Sequence, residues 1–257
     1  GMLDNPLTQK LYTSLYFLYK RYYEDPFRTL VLQYPALFKH GHVIDIGANI
    51  GYNARLFSKV VTPGFKIFAF EPDKENFVQL EKNCSFSTSI IPIHSAVGLL
   101  SGKVDFWHND LHPGDHRIAT AVFKKNINIR IKTNKVSLTS IDNFTKKWKD
   151  FPISFIKIDV QGYELPVCLG MKHTLQSNPN AVTAIDYSPN DSTKLGFNPR
   201  ELLSFWKNLG YTGYEMTMTG IQRENMETLY QRAIRKYYIN ILFLQNENKI
   251  LDSKKLF

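Results

Sequence analysis

The sequence is poor in cysteine and has no long apolar run. Its 257 residues include two cysteines, Cys84 and Cys168, and neither stands in a paired-spacing motif. A disulfide framework is therefore not expected, and a reduced cytoplasmic setting fits better. No apolar run reaches the length of a membrane span. The first residues show no basic segment followed by an apolar one, so no signal peptide is expected. These absences predict a cytoplasmic protein.

Charge of one sign is not concentrated in any segment. The chain carries 32 Lys and Arg against 23 Asp and Glu, a net charge of +9, which helps to attract anionic partners such as phosphates, nucleic acid or acidic lipids. The basic residues are spread along the chain rather than packed in one arm, which weakens a nucleic-acid-binding interpretation. The length and the 43% hydrophobic content suit one α/β domain with extensions.

The sequence also lacks the first glycine of a dinucleotide-binding turn. Residues 43–51 read as a short buried strand, rich in β-branched residues, that ends in a turn at Gly47 and Gly51. A helix is expected from about Tyr52 to Lys59, and its N-terminus favours a negative group of a ligand. A dinucleotide turn would read Gly-x-Gly-x-x-Gly, but Asp45 holds the first glycine position. This difference indicates S-adenosylmethionine rather than a pyrophosphate.

A second buried strand, 66–70, ends in an acid at the offset that ribose binding requires. Glu71 follows this strand about twenty residues after the glycine turn, where a carboxylate can accept hydrogen bonds from both hydroxyls of a ribose. Pro72 then starts the next helix. Strand, glycine turn, helix, strand and acid together predict a nucleoside-binding βαβ unit.

A third strand is expected at 90–94, and its carboxyl end should border the same crevice. In a doubly wound sheet the ligand lies at the carboxyl ends of the strands, which places His94, Ser95 and Ala96 on the adenine side. His94 is a candidate general base, although a histidine at a strand end more often packs or forms a hydrogen bond.

Residues 99–141 are expected to form an inserted β region. Lys103–Trp107 and Ile127–Ile131 alternate as half-exposed strands do, and a polar loop rich in His and Asp lies between them. No known ligand spacing matches, so a substrate loop containing His112 is predicted rather than a metal site. Arg117 is a candidate to hold an acidic group of a substrate.

Residues 153–164 form the second informative stretch, a buried strand followed by polar groups, Gly162 and a helix. Asp159 should lie beside the crevice, where a carboxylate can orient or deprotonate a substrate hydroxyl, or hold the loop by accepting backbone hydrogen bonds. A fifth strand ends at Asp186. Four acids are therefore expected to end strands on one rim: Asp45, Glu71, Asp159 and Asp186.

These patterns predict an α/β fold with a doubly wound Rossmann-like sheet, mostly parallel with an antiparallel strand at one edge. Residues 1–40 are expected to form a helical extension, with an aromatic first helix and a second helix after Pro26. This extension is expected to pack on the sheet or on a second subunit, or to act as a substrate lid or a membrane-surface helix. The main domain spans 41–257 and includes the inserted region. Residues 211–217 and 237–244 are expected to pair antiparallel at one sheet edge, with a loop and a helical turn over 222–235.

The combination of motifs resembles the FkbM family of S-adenosylmethionine-dependent methyltransferases. The resemblance covers about residues 42–190 and rests on the segments 43–52, 70–72, 138–142 and 156–165, of which Lys-Ile-Asp-Val-x-Gly-x-Glu is the specific one. It implies a methyltransferase fold and methyl transfer to hydroxyl groups of sugars and of polyketide or glycolipid products. It also implies Asp159 and Glu164 as active-site residues. The cofactor residues that it implies are Asp45, Gly47, Asn49, Gly51 and Glu71.

Two positions depart from the family pattern, because Gln161 and Asp186 stand where the family usually has Glu. Gln161 can form hydrogen bonds but cannot take a proton as a carboxylate does. The expectation is an O-methyltransferase with Asp159 as the first choice of base and His94 and His112 in reserve. The alternatives are an RNA methyltransferase, prompted by the positive charge, and a cofactor-binding module without catalysis, prompted by Gln161. A nicotinamide-dependent dehydrogenase fits less well.

Overall fold

The computed structural model describes residues 26–109, 116–127 and 132–245. The expected N-terminal aromatic helix and His112 lie outside these ranges. The described chain forms three layers, in which a large mixed sheet lies between two layers of helices. The strands are β1 (His42–Ile46), β2 (Ile67–Phe70), β3 (Ile90–Ile93), β4 (Ala96–Val97), β5 (Gly102–Trp107), β6 (Arg117–Ile118), β7 (Thr133–Thr139), β8 (Ile153–Ile158), β9 (Val182–Tyr187), β10 (Thr212–Thr217), β11 (Gly220–Glu224) and β12 (Ile239–Leu244).

The large sheet has the strand order β11-β10-β12-β9-β8-β1-β2-β3. Strands β3, β2, β1, β8 and β9 run parallel, so their carboxyl ends meet at one edge. Strand β1 is the point where the chain order reverses, because β2 lies on one side of it and β8 on the other. This topology confirms the expected doubly wound sheet, and it places the glycine turn after β1 at the position where such sheets bind ligands.

The far end of the large sheet is antiparallel. Strand β12 pairs with both β9 and β10, as expected for residues 211–217 and 237–244. The prediction of a loop and a helical turn over 222–235 is wrong. Gly220–Glu224 forms the edge strand β11, and Met226–Lys236 is a helix of 11 residues that buries Leu229 and Ala233. This i, i+4 apolar pair gives the helix a face to pack.

Helices cover both faces of the large sheet. They are α1 (Pro26–Gln33), α2 (Tyr52–Phe57), α3 (Lys74–Cys84), α4 (Ala121–Asn126), α5 (Ile141–Thr145), α6 (Glu164–Leu169), α7 (Lys172–Ser177), α8 (Pro189–Lys194), α9 (Pro199–Asn208) and α10 (Met226–Lys236), with a 3-10 turn at Pro35–Phe38. The helix expected after Pro26 begins at that residue, as suits proline in a first turn.

The core is built by strand alternation. Val43 packs on one face of β1 with Phe57 and Phe155, whereas Ile44 and Ile46 pack on the other face. Successive side chains of a strand point to opposite faces, so alternate positions of β1 and β8 pack against the helices on one face of the sheet and on the other. The same alternation gives Asp45 and Lys157 a common face, because these residues are register partners in the parallel pair β1–β8.

The inserted region forms a second, smaller sheet with the order β4-β7-β5-β6. The strand expected at Lys103–Trp107 is confirmed as β5. The strand predicted for Ile127–Ile131 stays a prediction, because Ile127 is the extended residue that caps helix α4 and the remaining residues lie outside the described ranges. Strand β7 begins instead at Thr133. The boundary expected between residues 40 and 41, which separates the helical extension from the main domain, stays a prediction. None of the described helices is long and apolar enough to span a membrane.

Candidate active site

A cavity of about 320 Å³ opens at the carboxyl ends of the parallel strands. Its wall combines the turn after β1, the ends of β2, β8 and β9, the start of β12, and the small sheet. Helix α1 and the end of β10 close the remaining side. The lining residues that the site arguments use are Gly47, Asn49, Glu71, Ser95, Ala96, Arg117, Lys157, Asp159, Gln161, Asp186 and Asn240.

Gly47 brings the first turn against the backbone after β8. Its φ angle is +76°, a left-handed conformation that glycine adopts readily. A Cβ atom at this position would lie 1.8 Å from the carbonyl oxygen of Asp159. The turn and the Asp159 backbone are therefore in direct contact, and only glycine leaves the required space.

Gly51 allows a close approach between the first turn and helix α3. Its φ is +92°, and a Cβ would lie 2.7 Å from Cys84 Sγ and 2.8 Å from Leu80 Cδ1. Both atoms belong to helix α3. The close approach that Gly51 allows is therefore to this helix, so the structure supports packing at this position, while cofactor binding by Gly51 stays a prediction.

Glu71 is almost fully buried at the end of β2 and faces the first turn. Its Oε2 accepts a hydrogen bond of 2.7 Å from the Asn49 backbone amide, and its Oε1 accepts one of 2.9 Å from the Asp73 amide. Burial raises the pKa of Glu71 to about 8 although these amides favour the charged form. Each oxygen keeps a further lone pair for a ligand hydroxyl.

Residues 94–96 divide between the cavity and the outer surface. Ser95 and Ala96 are buried and line the cavity, and Ser95 Oγ donates to the Ala96 carbonyl oxygen at 2.8 Å. His94 is exposed, stacks on Phe77 with 4.7 Å between ring centroids, and lies 3.1 Å from the Pro72 carbonyl oxygen through Nε2. This packing gives the predicted general-base role of His94 no geometric support.

Asp159 occupies the place expected for a proton acceptor. Its side chain is one-third exposed, at 33%, and the residue lines the cavity. Gln161 has a φ of +53°, and its Nε2 donates to Asp159 Oδ1 at 3.0 Å. A glutamate at position 161 would be unable to donate in this way when ionised, so glutamine makes this particular contact possible.

Glu164 is separated from the cavity by its own loop. It is 1% exposed, and its Oε1 accepts hydrogen bonds from the amides of Gly162 at 2.9 Å and Val160 at 3.4 Å. Burial raises its pKa to about 7. Among the described residues, the cavity wall includes Val160 and Gln161 but not Glu164. The contacts support a role in shaping the loop, and the predicted catalytic role stays a prediction.

Arg117 and Asp186 both reach the cavity wall. Arg117 is 4% exposed, and its guanidinium lies 2.9 Å from Asp191 Oδ1, which ties the small sheet to helix α8. Asp186 is half-buried at the end of β9, opposite Asn240 on β12. The structure therefore brings three candidate substrate residues, Arg117, Gln161 and Asp186, to the cavity. His112 cannot be placed.

A group of possible metal ligands forms where the inserted region meets helix α3. Ligand atoms of Asp73, His108 and His116 lie within 4.8 Å of one another. Several already have protein partners, because His108 Nδ1 lies 2.7 Å from Asp73 Oδ2 and His116 Nδ1 accepts the Asn109 amide at 2.9 Å. Asp73 also caps α3 through the Glu75 and Asn76 amides. These contacts fit a hydrogen-bonded link between two elements.

Lys157 is the site residue that the sequence interpretation missed. It is 2% exposed near the carboxyl end of β8, and its Nζ lies 3.3 Å from Asp45 Oδ1 and 3.6 Å from Asp159 Oδ2. It also donates to the Gly47 carbonyl oxygen at 2.7 Å. Burial raises the pKa of the fully buried Asp45, and Lys157 opposes this rise. The sequence did offer a signal for this residue, because a lysine stands inside the mostly apolar strand β8, close to Asp159.

The site thus combines a glycine turn, a buried acid at the end of β2 and a second carboxylate at the end of β8 around one crevice of a doubly wound α/β fold. The model of the FkbM methyltransferase domain matches residues 45–212, and the chain belongs to this family. A relative described as hexuronic acid methyltransferase AglP, from Haloferax volcanii, is 30% identical over 155 residues. That match covers 59% of each chain, so this chain spans 59% of the length of that relative.

Two solved structures illustrate the likeness in fold. Methyltransferase FkbM from Methylobacillus flagellatus aligns with a TM-score of 0.48 and 19% identity, over 80% of this chain and 44% of that one. The O-methyltransferase TomG from Streptomyces achromogenes, solved with S-adenosylmethionine, aligns with a TM-score of 0.46 and 10% identity, over 85% and 78%.

Proposed function

We propose that this chain transfers a methyl group from S-adenosylmethionine to a hydroxyl oxygen of a carbohydrate, or of a glycosylated or polyketide-type small molecule. The observation that carries the proposal is the placement of Glu71 and Asp159 on two strand ends of one cavity, with the Gly47 turn between them. Family membership supports methyl transfer. The name of the Haloferax volcanii relative supports a carbohydrate acceptor.

The residues present fit the proposed cofactor. The Gly47 turn leaves backbone at the cavity wall where a Cβ would not fit, and Glu71 offers a buried carboxylate for ribose hydroxyls. Ser95 and Ala96 border the adenine side, and Asp45 supports the turn through Lys157. When bound, S-adenosylmethionine supplies a methyl group that its sulfonium already activates.

The protein's part in the reaction is then alignment and proton transfer. The cavity would hold the acceptor oxygen in line with the methyl group, and the Asp159 carboxylate would accept the hydroxyl proton as that oxygen becomes methylated. Gln161 and Lys157 restrain that carboxylate on its two oxygens. Asp186, Asn240 and Arg117 also line the cavity and offer polar groups to the acceptor.

The test is methyl incorporation from labelled S-adenosylmethionine into a panel of neutral oligosaccharides, glycans containing hexuronic acid, glycosylated polyketides and RNA. Asp159→Asn is compared with Asp150→Asn, which removes an exposed carboxylate elsewhere. We expect Asp159→Asn to lower the rate by about 10² to 10⁴-fold, the usual contribution of a general base, and Asp150→Asn to leave it unchanged.

Other outcomes would point to the rival functions. Methylation of RNA alone, with binding that weakens strongly as salt rises, would replace the carbohydrate proposal by an RNA methyltransferase. Tight cofactor binding without turnover on any acceptor would favour a cofactor-binding module. Equal rates for wild type and Asp159→Asn would remove Asp159 as the proton acceptor.

A further inference from the structure

We propose that Lys157 is a positioning residue that links the cofactor turn at Gly47 to the Asp159 carboxylate. The inference rests on the proposed function, because it takes the Gly47 turn as the place where the cofactor is held. Lys157 would not itself touch the reacting atoms. It would fix the position of the Gly47 turn relative to the Asp159 carboxylate.

The contacts of the ammonium carry the proposal. An ammonium has three donors and no acceptor, and the Lys157 Nζ faces groups from three parts of the site. Gly47 O lies at 2.7 Å, Asp45 Oδ1 at 3.3 Å and Asp159 Oδ2 at 3.6 Å. A lysine with 2% exposure is costly to bury unless such partners compensate its charge. A displacement of any one partner therefore disturbs the others.

Backbone packing makes this link short. The space for a Cβ at Gly47 is filled by the Asp159 carbonyl oxygen, so the turn cannot shift toward β8 without moving Asp159. Asp159 also donates its amide to the Ile46 carbonyl oxygen at 3.0 Å. Gln161 restrains the second carboxylate oxygen. Lys157 is the member of this group that contacts both the turn and the carboxylate through its side chain.

A purely structural alternative is that Lys157 only neutralises Asp45. A variant cycle separates the two roles: wild type, Asp45→Asn, Lys157→Met, and the double variant. Methionine keeps the length of the side chain and removes the charge and the donors. The double variant has no buried carboxylate at position 45 facing the uncharged side chain at position 157, so its fold has the better chance to survive. Lys207→Met, on the exposed Lys207 of helix α9, is the control for loss of a lysine.

The first readout is calorimetric titration with S-adenosylhomocysteine, with thermal unfolding as a check on folding. If Lys157 positions the turn, the double variant should bind about tenfold more weakly than Asp45→Asn, the cost of one lost hydrogen bond to the turn. If Lys157 only neutralises Asp45, the double variant should bind as tightly as Asp45→Asn, and the proposal is overturned. Failure of the wild type to bind would instead reject the proposed cofactor.

The second readout concerns Asp159. With the best acceptor of the panel, the double variant should lose kcat relative to Asp45→Asn while KM for the acceptor stays nearly constant, because alignment and not acceptor binding is impaired. An unchanged kcat would reject the link to Asp159. If the variants do not fold, ¹⁵N spectra of wild-type lysine ammonium groups supply the answer. A buried, slowly exchanging ammonium signal should shift on addition of S-adenosylhomocysteine, and an unmoved signal would contradict the proposal.

Discussion

The backbone amide of Asn49 donates a 2.7 Å hydrogen bond to Oε2 of Glu71, across the gap between the first turn and the end of the second strand. This bond joins the two segments that a nucleoside cofactor would contact. Because burial raises the pKa of Glu71 to about 8, the carboxyl group is largely protonated at neutral pH before a ligand enters. Ligand hydroxyls that donate to Glu71 would favour its charged form.

Cofactor binding should therefore depend on pH. Ribose hydroxyls lower the pKa of Glu71 in the complex, so binding releases a proton and affinity for S-adenosylhomocysteine should rise with pH up to about 8 and then level off. Titrations from pH 6 to 9 in buffers of different ionisation enthalpy measure both the affinity and the proton release. Glu71→Gln should flatten the profile, and an identical profile for this variant would assign the pH dependence to another group.

Replacement of Gly47 by alanine should abolish cofactor binding. Gly210→Ala is a matched control, because Gly210 has a φ of +80° against +76° at Gly47, but a Cβ there meets nothing within 4 Å. Both variants lose about 1 kcal/mol to the left-handed backbone, whereas only Gly47→Ala must displace the Asp159 carbonyl. Titration with S-adenosylhomocysteine and thermal unfolding of both variants test this difference. Equal effects would show that the contact with Asp159 is unimportant.

The ion pair between Arg117 and Asp191 should stabilise the fold at neutral pH. Burial works to raise the pKa of Asp191, but Lys194 and Arg117 hold it at about 2. The folded pKa is below the unfolded one, so this contribution is present above about pH 4 and is lost as pH falls toward 2. Arg117→Met should lower the unfolding free energy by about 2 kcal/mol at pH 7, the usual size for a hydrogen bond to a charged group.

Chemical denaturation of Arg117→Met at pH 7 and at pH 3 measures that contribution. The loss should be smaller at the lower pH. Arg200→Met is the control, because Arg200 and Glu227 form an exposed ion pair, and such pairs contribute little. A larger loss for Arg200→Met than for Arg117→Met would contradict the assignment.

Removal of divalent metal should leave cofactor affinity unchanged. The possible ligands Asp73, His108 and His116 are engaged with one another and with backbone amides, and of these three only His116 lines the cavity. The experiment compares titrations with S-adenosylhomocysteine before and after treatment with EDTA. A metal site would be established instead if EDTA lowered the affinity of the wild type, if zinc or manganese restored that affinity, and if His108→Ala showed neither effect. His94→Ala, at an exposed histidine, controls for that variant.

Local patterns predicted the parts of the fold whose signals lie within a few residues. The β-branched runs at β1 and β8 and the glycine turn after β1 were located from the sequence, because buried parallel strands are continuous apolar segments. The helix Met226–Lys236 was missed although its signal is local: Met226, Leu229, Tyr230 and Ala233 recur at helical spacing and pack on the core. The edge strand Gly220–Glu224 was missed because its register depends on pairing with β10.

The site shows the same division. Glu71 and Asp159 could be placed at the cavity because a strand end fixes their position. The burial of Glu164 and the outward packing of His94 depend on loop conformations that spacing does not reveal. Lys157 is the clearest case, because its contact with Asp45 follows from the parallel register that sets the two residues opposite each other. Assignments of cofactor and acceptor residues stay predictions until ligands are bound.

The most direct test of the central claim is calorimetric titration of the purified protein with S-adenosylhomocysteine, for wild type, Glu71→Ala and Glu75→Ala. Glu75 is an exposed carboxylate four residues along the chain. We predict micromolar binding by the wild type, a loss of about 1–3 kcal/mol for Glu71→Ala, the cost of unpaired buried hydrogen bonds, and no loss for Glu75→Ala. Absence of binding by a folded wild type, or equal binding by Glu71→Ala, would contradict the assignment of this cavity to S-adenosylmethionine.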